Sequence, residues 1–312
     1  EYFNIKTNRM VSQYTHILRF SFGNESGIIS QYAGSSVDWE IPLPLAAEIP
    51  TRSSGVITIS CETKNGTATV GTETCEFTVT VPDNEETKPK FSVELRPIHS
   101  LPDQFALLYL VGKSTVGVTF DANSEYANIT GYRAKLGNTV KESTSPEITL
   151  SLPSSGTLSI ELTVTDSRGY SRTVTREITA IPYERPRIVA HSGESTVICT
   201  RCRDGKIAFD GEYVLIKAKG SCSDVSYHNK AYNTCRLWYH FKLASTPDYS
   251  MDWALLDGTE VNFVHDTVFD VGTAYTFQLK VEDDVGEERV YTYPIAYVSV
   301  PVNMGREGKN LG

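Results

Sequence analysis

A 312-residue chain with 40 % hydrophobic and 21 % charged side chains has the make-up of an ordinary folded protein with two or three cores, which excludes a disordered chain. Its formal net charge of −9 argues against a nucleic-acid partner, because phosphate binding needs basic surface that releases counterions. The longest apolar run, Phe105 to Val111, is far shorter than the ~18 residues of a spanning helix, so no membrane insertion is expected.

The chain opens on Glu1-Tyr2-Phe3-Asn4-Ile5, which reads as strand interior and not as a signal peptide, and suggests a piece of something longer. His16, Leu18, Phe20 and Phe22 alternate with other residues and predict a half-buried strand. Leu45 to Glu48 allows one helical turn and no more. Val56–Cys61 and Cys75–Val81 flank the turn Lys64-Asn65-Gly66-Thr67 and predict a hairpin that ends at Pro82. The stretch from Pro82 to Pro89 is charged and bounded by prolines, which predicts an exposed, semi-stiff connector. Ile160, Leu162 and Val164 alternate with Glu161, Thr163 and Thr165. Pro182 and Pro186 leave little room for bending after Ile181. Tyr275, Phe277, Leu279 and Val281 form the first arm of a last hairpin; Tyr291, Tyr293, Ile295 and Tyr297 form the second. No comparable stretch keeps a 3.6-residue period, so the chain is predicted to be nearly all β.

Two of these hairpins share a turn. Val164-Thr165-Asp166-Ser167-Arg168-Gly169 and Val281-Glu282-Asp283-Asp284-Val285-Gly286 both read Val-x-Asp-x-x-Gly. The aspartate can bond the turn backbone and the glycine can take a positive φ. The turn glycines Gly66, Gly169 and Gly286 lie about one sandwich length apart. The predicted architecture is therefore three tandem immunoglobulin-like β-sandwich domains. They span 1–83, 90–182 and 183–302, with a linker at 84–89 and the start of a glycine-rich exit linker at 303–312.

The order of motifs resembles that of a known family. It begins with Tyr14-Thr15-His16-Ile17-Leu18-Arg19-Phe20-Ser21-Phe22-Gly23, Trp39-Glu40-Ile41-Pro42-Leu43 and Ala47-Glu48-Ile49-Pro50. It runs on through Ile57 to Thr67, Phe77 to Pro82, Gly112-Lys113-Ser114, Val164 to Gly169, Cys202-Arg203-Asp204-Gly205 and Gly211-Glu212-Tyr213-Val214. Ile295-Ala296-Tyr297-Val298 and the glycines from Gly305 to Gly308 close it. This series resembles tailed-phage minor structural proteins, siphophage tail proteins that carry a domain of unknown function. The sequence departs from the family in its extra cysteines and at Asp103-Gln104-Phe105-Ala106. The resemblance implies a part of the tail tip or tail fibre, located in the virion and assembled in the host bacterial cytoplasm. Its partners would be other tail or baseplate proteins, and no catalytic residues come with it.

Candidate chemistry is sparse. Cys199 and Cys202, with Cys222 and Cys235, offer four thiols. A structural zinc site, isolated core or loop thiols and one disulfide are all open, and isolated thiols are favoured because a zinc site needs closely spaced ligand pairs. Cys61 and Cys75, if paired across their hairpin, both point into the core; a disulfide there is geometrically demanding, and a reducing host cytoplasm favours free thiols. Asp166, Asp283 and Asp284 could hold calcium at domain junctions, but turn chemistry needs aspartate there anyway. Trp253, in a predicted loop, is a candidate glycan contact against the plainer role of capping a core. No nucleophile elbow, phosphate loop or dinucleotide fingerprint occurs, so no enzyme and no cofactor are expected.

The leading expectation is a stiff spacer that presents receptor-binding parts for host attachment. The alternatives are carbohydrate-binding domains that recognise a host cell-wall glycan, and a bacterial surface adhesin. A homo-oligomer such as a trimer is compatible with the sequence, although no heptad seam forces one.

Overall fold

The computed structural model describes residues 2–8 and 10–298, and its regular structure is almost entirely β-strand. The glycine-rich exit predicted at 303–312 lies outside the described residues, as does the end of the third predicted sandwich. The chain forms two compact units. One runs to Ile98 and adds Thr115–Pro153 and Thr157–Thr179; the other takes His99–Ser114, Ser154–Gly156 and the described chain from Ala180 to Val298.

The first unit contains two sheet pairs. In the first pair, β1 (Tyr2–Lys6), β2 (Tyr14–Phe22), β3 (Glu25–Ala33), β4 (Ser36–Glu40), β5 (Ser54–Asn65) and β6 (Ala68–Thr80) build a β1-β4 ribbon over a β3-β2-β5-β6 sheet. Ile5 from the ribbon meets Leu18, Ala33 and Ile59 from the sheet. Inward residues recur every second position along β2, where His16, Leu18 and Phe22 are buried, as a pleated strand requires. A 3₁₀ turn at Leu43–Glu48 inserts Leu45 and Ala46 into a second cluster, with Phe22, Ile49, Ile57 and Val81.

The second pair comprises β7 (Lys90–Ile98), β9 (Thr115–Asn123), β10 (Ile129–Leu136), β11 (Thr139–Ser143), β12 (Glu147–Ser151), β13 (Gly156–Asp166) and β14 (Ser171–Ile181). The short β8 (Tyr109–Leu110), between β7 and β9 in sequence, belongs to the other unit. One sheet runs β12-β9-β7 and the other β11-β10-β13-β14. Lettered A to G in chain order, these sheets read E-B-A and C′-C-F-G, the crossing pattern of an immunoglobulin-like sandwich. Ile160, Leu162 and Val164 of β13 are fully buried, as their alternation predicts.

The second unit repeats that order. Its strands are β15 (Arg187–Val189), β16 (Ile198–Arg203), β17 (Lys206–Ile207), β18 (Tyr213–Ser221), β19 (Ser226–Tyr227), β20 (Lys230–Ala231), β21 (Cys235–Leu243), β22 (Ala254–Leu256), β23 (Glu260–Val264), β24 (Tyr275–Asp283) and β25 (Glu288–Ile295). β18 pairs with β15 and β16 along one edge and with β23 along the other, giving A-B-E; the facing sheet is β22-β21-β24-β25, again C′-C-F-G. Val214, Ile216 and Ala218 meet Leu237, Phe277, Leu279 and Val281 between the two sheets.

One cation is built into this unit. Arg201, 2 % exposed, donates through Nε to the Ala296 carbonyl at 3.0 Å. Its other nitrogens donate to the carbonyls of Gly211, Phe269, Asp270 and Thr273 at 2.7 to 3.4 Å. A planar fork with five N–H donors suits such a ring of carbonyls, which satisfies the buried charge without a direct carboxylate contact.

Candidate functional site: the buried-aspartate turns

The shared Val-x-Asp-x-x-Gly turn folds the same way twice. In the first copy, between β13 and β14, the Asp166 N–H donates to the Tyr170 carbonyl and the Gly169 N–H to the Asp166 carbonyl. Asp166 Oδ1 accepts from the backbone N–H groups of Arg168 and Tyr170 at 2.9 and 3.0 Å. In the second copy, between β24 and β25, the Asp283 N–H donates to the Glu287 carbonyl and the Gly286 N–H to the Asp283 carbonyl. Asp283 Oδ1 accepts from the Glu287 N–H at 3.1 Å. Gly169 and Gly286 have φ of 89° and 93°, where a Cβ is strained, so glycine is needed at both. Both aspartates are buried and their oxygens are spent on turn donors and neighbours, which is the turn chemistry expected of them.

Each turn then grips chain that precedes its sandwich. In the first unit, the Ser167 hydroxyl donates to the Pro50 carbonyl and the Tyr170 hydroxyl to the Val81 carbonyl, both at 2.5 Å. Burial, followed by the carboxylate of Asp83, raises the Tyr170 phenol pKa and keeps it a donor. Arg172 donates to the carbonyls of Pro89 and Glu85 and pairs with the Glu85 carboxylate at 2.8 Å. The rings of Tyr126 and Tyr170 pack against the cluster of Phe22, Leu45, Ile49 and Val81.

The connector is exposed from Pro82 to Glu86, and its own side chains also bond its backbone. Asn84 Oδ1 accepts from the N–H groups of Glu86 and Thr87, and the Lys88 N–H donates to the Asn84 carbonyl. Thr87 is buried, with its hydroxyl on the Pro82 carbonyl. A polar stretch without apolar residues becomes rigid here because its own side chains close it into a turn.

In the second unit, the turn holds the segment His99–Ser114 and the chain after Ala180. Val285 at its tip is buried with Phe105, Leu108, Leu110, Ile181 and Val225. β8 pairs in parallel with Ala180 and Ile181. Asp283 Oδ2 accepts from the Tyr183 hydroxyl at 3.0 Å and from Asn233 Nδ2 at 3.2 Å. Glu287 binds Lys113 and Arg185, the latter at 2.9 Å, and hydrogen bonding to Lys113 above all lowers its pKa. Burial would raise the Asp284 pKa, but two hydrogen bonds from Thr234 and the Arg236 guanidinium outweigh it and hold the carboxyl low. Gly112-Lys113-Ser114 is grouped with the second unit, and β9 starts immediately after it.

The cysteines are placed differently from one another. Cys61 lies opposite Glu73, and Cys75 opposite Ile59, so the two thiols sit diagonally, both free. Cys75 is exposed where its alternation with Phe77 and Val79 predicts burial. Both thiols line an open cleft of about 450 Å³, together with Ile5, Leu18 and His16, whose Nδ1 lies 3.0 Å from the Thr63 hydroxyl. Of the four candidate zinc ligands, Cys222 and Cys235 meet, with Sγ atoms 3.0 Å apart. Cys199 and Cys202 do not form a second pair, because residues three apart on a strand face opposite sides. Among the described residues no group of three or more His, Cys, Asp or Glu side chains could hold a metal ion.

Trp253 does not stand free in its loop. Its ring stacks on His240 at 3.7 Å, Tyr249 stacks on the same imidazole at 3.7 Å, and Lys280 Nζ sits 5.2 Å from the Trp253 ring. The loop after β21 thereby lies over the outer face of its sheet, where His240 also meets Gln278 at 2.9 Å.

Residues whose roles depend on contacts across elements, Tyr170, Arg172, Tyr183 and Asn233, carry no signal in the sequence. Only the repeated turn beside them does. No helix among the described residues is long and apolar enough to cross a membrane.

A family profile described as "Siphovirus protein of unknown function (DUF859)" matches residues 1–208, about two thirds of the chain. No curated protein sequence matches. Solved structures with similar strand arrangements include the fibronectin(III)-like modules of Clostridium thermocellum CbhA (12 % identity, TM-score 0.27, covering 66 % of this chain and 94 % of that one). Another is a fragment of a 1.5-MDa bacterial ice-binding adhesin (11 % identity, TM-score 0.36, covering 95 % and 91 %). A third is protocadherin gammaB7 EC3-6 (12 % identity, TM-score 0.35, covering 94 % and 68 %). The strand order itself is what makes the fold immunoglobulin-like.

Proposed function

The chain belongs to this siphovirus family, and from that premise we propose that it is a non-enzymatic structural segment of a phage tail tip or tail fibre. It spaces and presents the parts that attach to the host. The observation that carries this reading is the ordered connector from Pro82 to Pro89, closed by its own hydrogen bonds and held by Tyr170 and Arg172 of the following sandwich. A joint with both its backbone and its flanks bonded resists bending, which is what a spacer needs and a flexible tether lacks. The same turn recurs in the second unit with its own set of partners. On this reading its partners are other tail and baseplate proteins.

Immunogold labelling of purified virions tests the proposal. Label at a fixed position on the tail is the expected result, and a chain absent from virions overturns it. Pull-down on host cell walls separates the spacer from an adhesive role: a spacer shows no retention.

A further inference from the structure

We propose that Cys222 and Cys235 are a disulfide-forming site that staples the two sheets of the second unit together at the base of the loop carrying its junction contacts. Cys222 directly follows β18 in one sheet and Cys235 opens β21 in the other, and their sulfurs are 3.0 Å apart. That is closer than two non-bonded sulfur atoms rest, so little movement separates the thiol pair from the bond. Cys235 is 6 % exposed, packed against Gly220 and in the core cluster that holds Val281, whereas Cys222 is only half-buried. The pair brackets Ser223 to Thr234, a loop tied down through three of its residues. Val225 lies in the cluster with Phe105, Leu110 and Val285; the Tyr232 carbonyl accepts from Gln104; and Asn233 donates to Asp283. A covalent bond at the loop base would fix all of these contacts at once.

The oxidant is a low-molecular-weight disulfide. The more accessible Cys222 thiolate attacks one of its sulfurs, forming a mixed disulfide and releasing one small thiolate. Cys235 gives up its proton and attacks the Cys222 sulfur, forming the protein disulfide and releasing the second thiolate. Two electrons pass from the protein to the reagent, and two protons leave with them. Burial pushes the Cys222 pKa up to about 12, assisted by Cys235 and the carboxylates of Asp283 and Asp284. The reaction is therefore slow at neutral pH, and the bond belongs to a chain that has left a reducing compartment. The inference is independent of the spacer reading, since it concerns the chemistry of this loop in any setting.

The test incubates the full chain with oxidised glutathione, blocks remaining thiols by alkylation and maps tryptic peptides. Trypsin separates residues 220–230 from 231–236, so the bond appears as those two peptides joined and two hydrogens lighter. The oxidised chain is expected to melt at least about 6 °C above the reduced one, with no such shift in Cys222→Ser. Alkylation of both thiols after oxidation, glutathione retained on Cys222, or a bond from either residue to another cysteine overturns the proposal. So does a joined peptide pair without any rise in melting temperature, which removes the staple.

Discussion

Replacing Asp283 by alanine probes the second turn at its most loaded atom pair. The carboxylate is 1 % exposed and accepts from the Glu287 N–H, the Tyr183 hydroxyl and Asn233 Nδ2 at 3.0 to 3.2 Å. Alanine leaves those three donors without their acceptor. At ~1 kcal/mol for each donor left unmade, the loss is about 3 kcal/mol, the upper range for a single substitution. Tyr183→Phe removes one of the three bonds and should cost about 1 kcal/mol. Because the two substitutions break the same contact, their effects should fall short of additive by at least ~0.5 kcal/mol. Urea unfolding followed by tryptophan fluorescence reads mainly the second unit, where Trp238 and Trp253 reside. A loss below ~1 kcal/mol for Asp283→Ala, or full additivity with Tyr183→Phe, would refute the view that this carboxylate organises the turn and its grip on Tyr183.

Other outcomes follow from the same structure. Arg201→Met should destabilise the second unit by roughly 3–5 kcal/mol, since five carbonyls lose their donors, and Arg201→Lys by about half as much, both read by urea unfolding. His265 is packed among Tyr239, Phe241 and Phe269 and its Nδ1 accepts from the Thr267 N–H, so it is held neutral. Burial lowers its pKa, with Asp266 opposing; the unfolded chain then binds the proton more tightly. Its stabilising contribution is full above the unfolded value of ~6.5 and is lost as pH falls below that toward the folded value. Unfolding midpoints at pH 7.5 and 5.5 should differ accordingly in the wild type and less in His265→Phe. Arg172→Ala should leave global unfolding within ~1 kcal/mol of wild type. It should speed hydrogen exchange at Glu86, Thr87 and Lys88, measured by mass spectrometry, because the connector loses its outer hold.

The strand content, the inward faces of β13 and β24 and the position of both aspartate turns were determined by the sequence alone, whereas the alternation along β6 misplaced Cys75. Period-two alternation and the need for aspartate and glycine in that turn are local physics, so Ile160, Leu162, Val164, Phe277, Leu279 and Val281 read correctly as core without any knowledge of their partners. Tertiary structure alone decided what the turns touch. Tyr170 finds Val81 and Tyr183 finds Asp283 across roughly 90 to 100 residues of chain, and no periodicity encodes a bond over that separation. The cysteines show the same division. Spacing grouped Cys199 with Cys202, but strand geometry set those two on opposite faces, while Cys222 and Cys235, read apart as small core residues, met because β18 and β21 lie in facing sheets. Alternation determines which side of a strand a residue takes; only the packing of one sheet on another determines what it meets there.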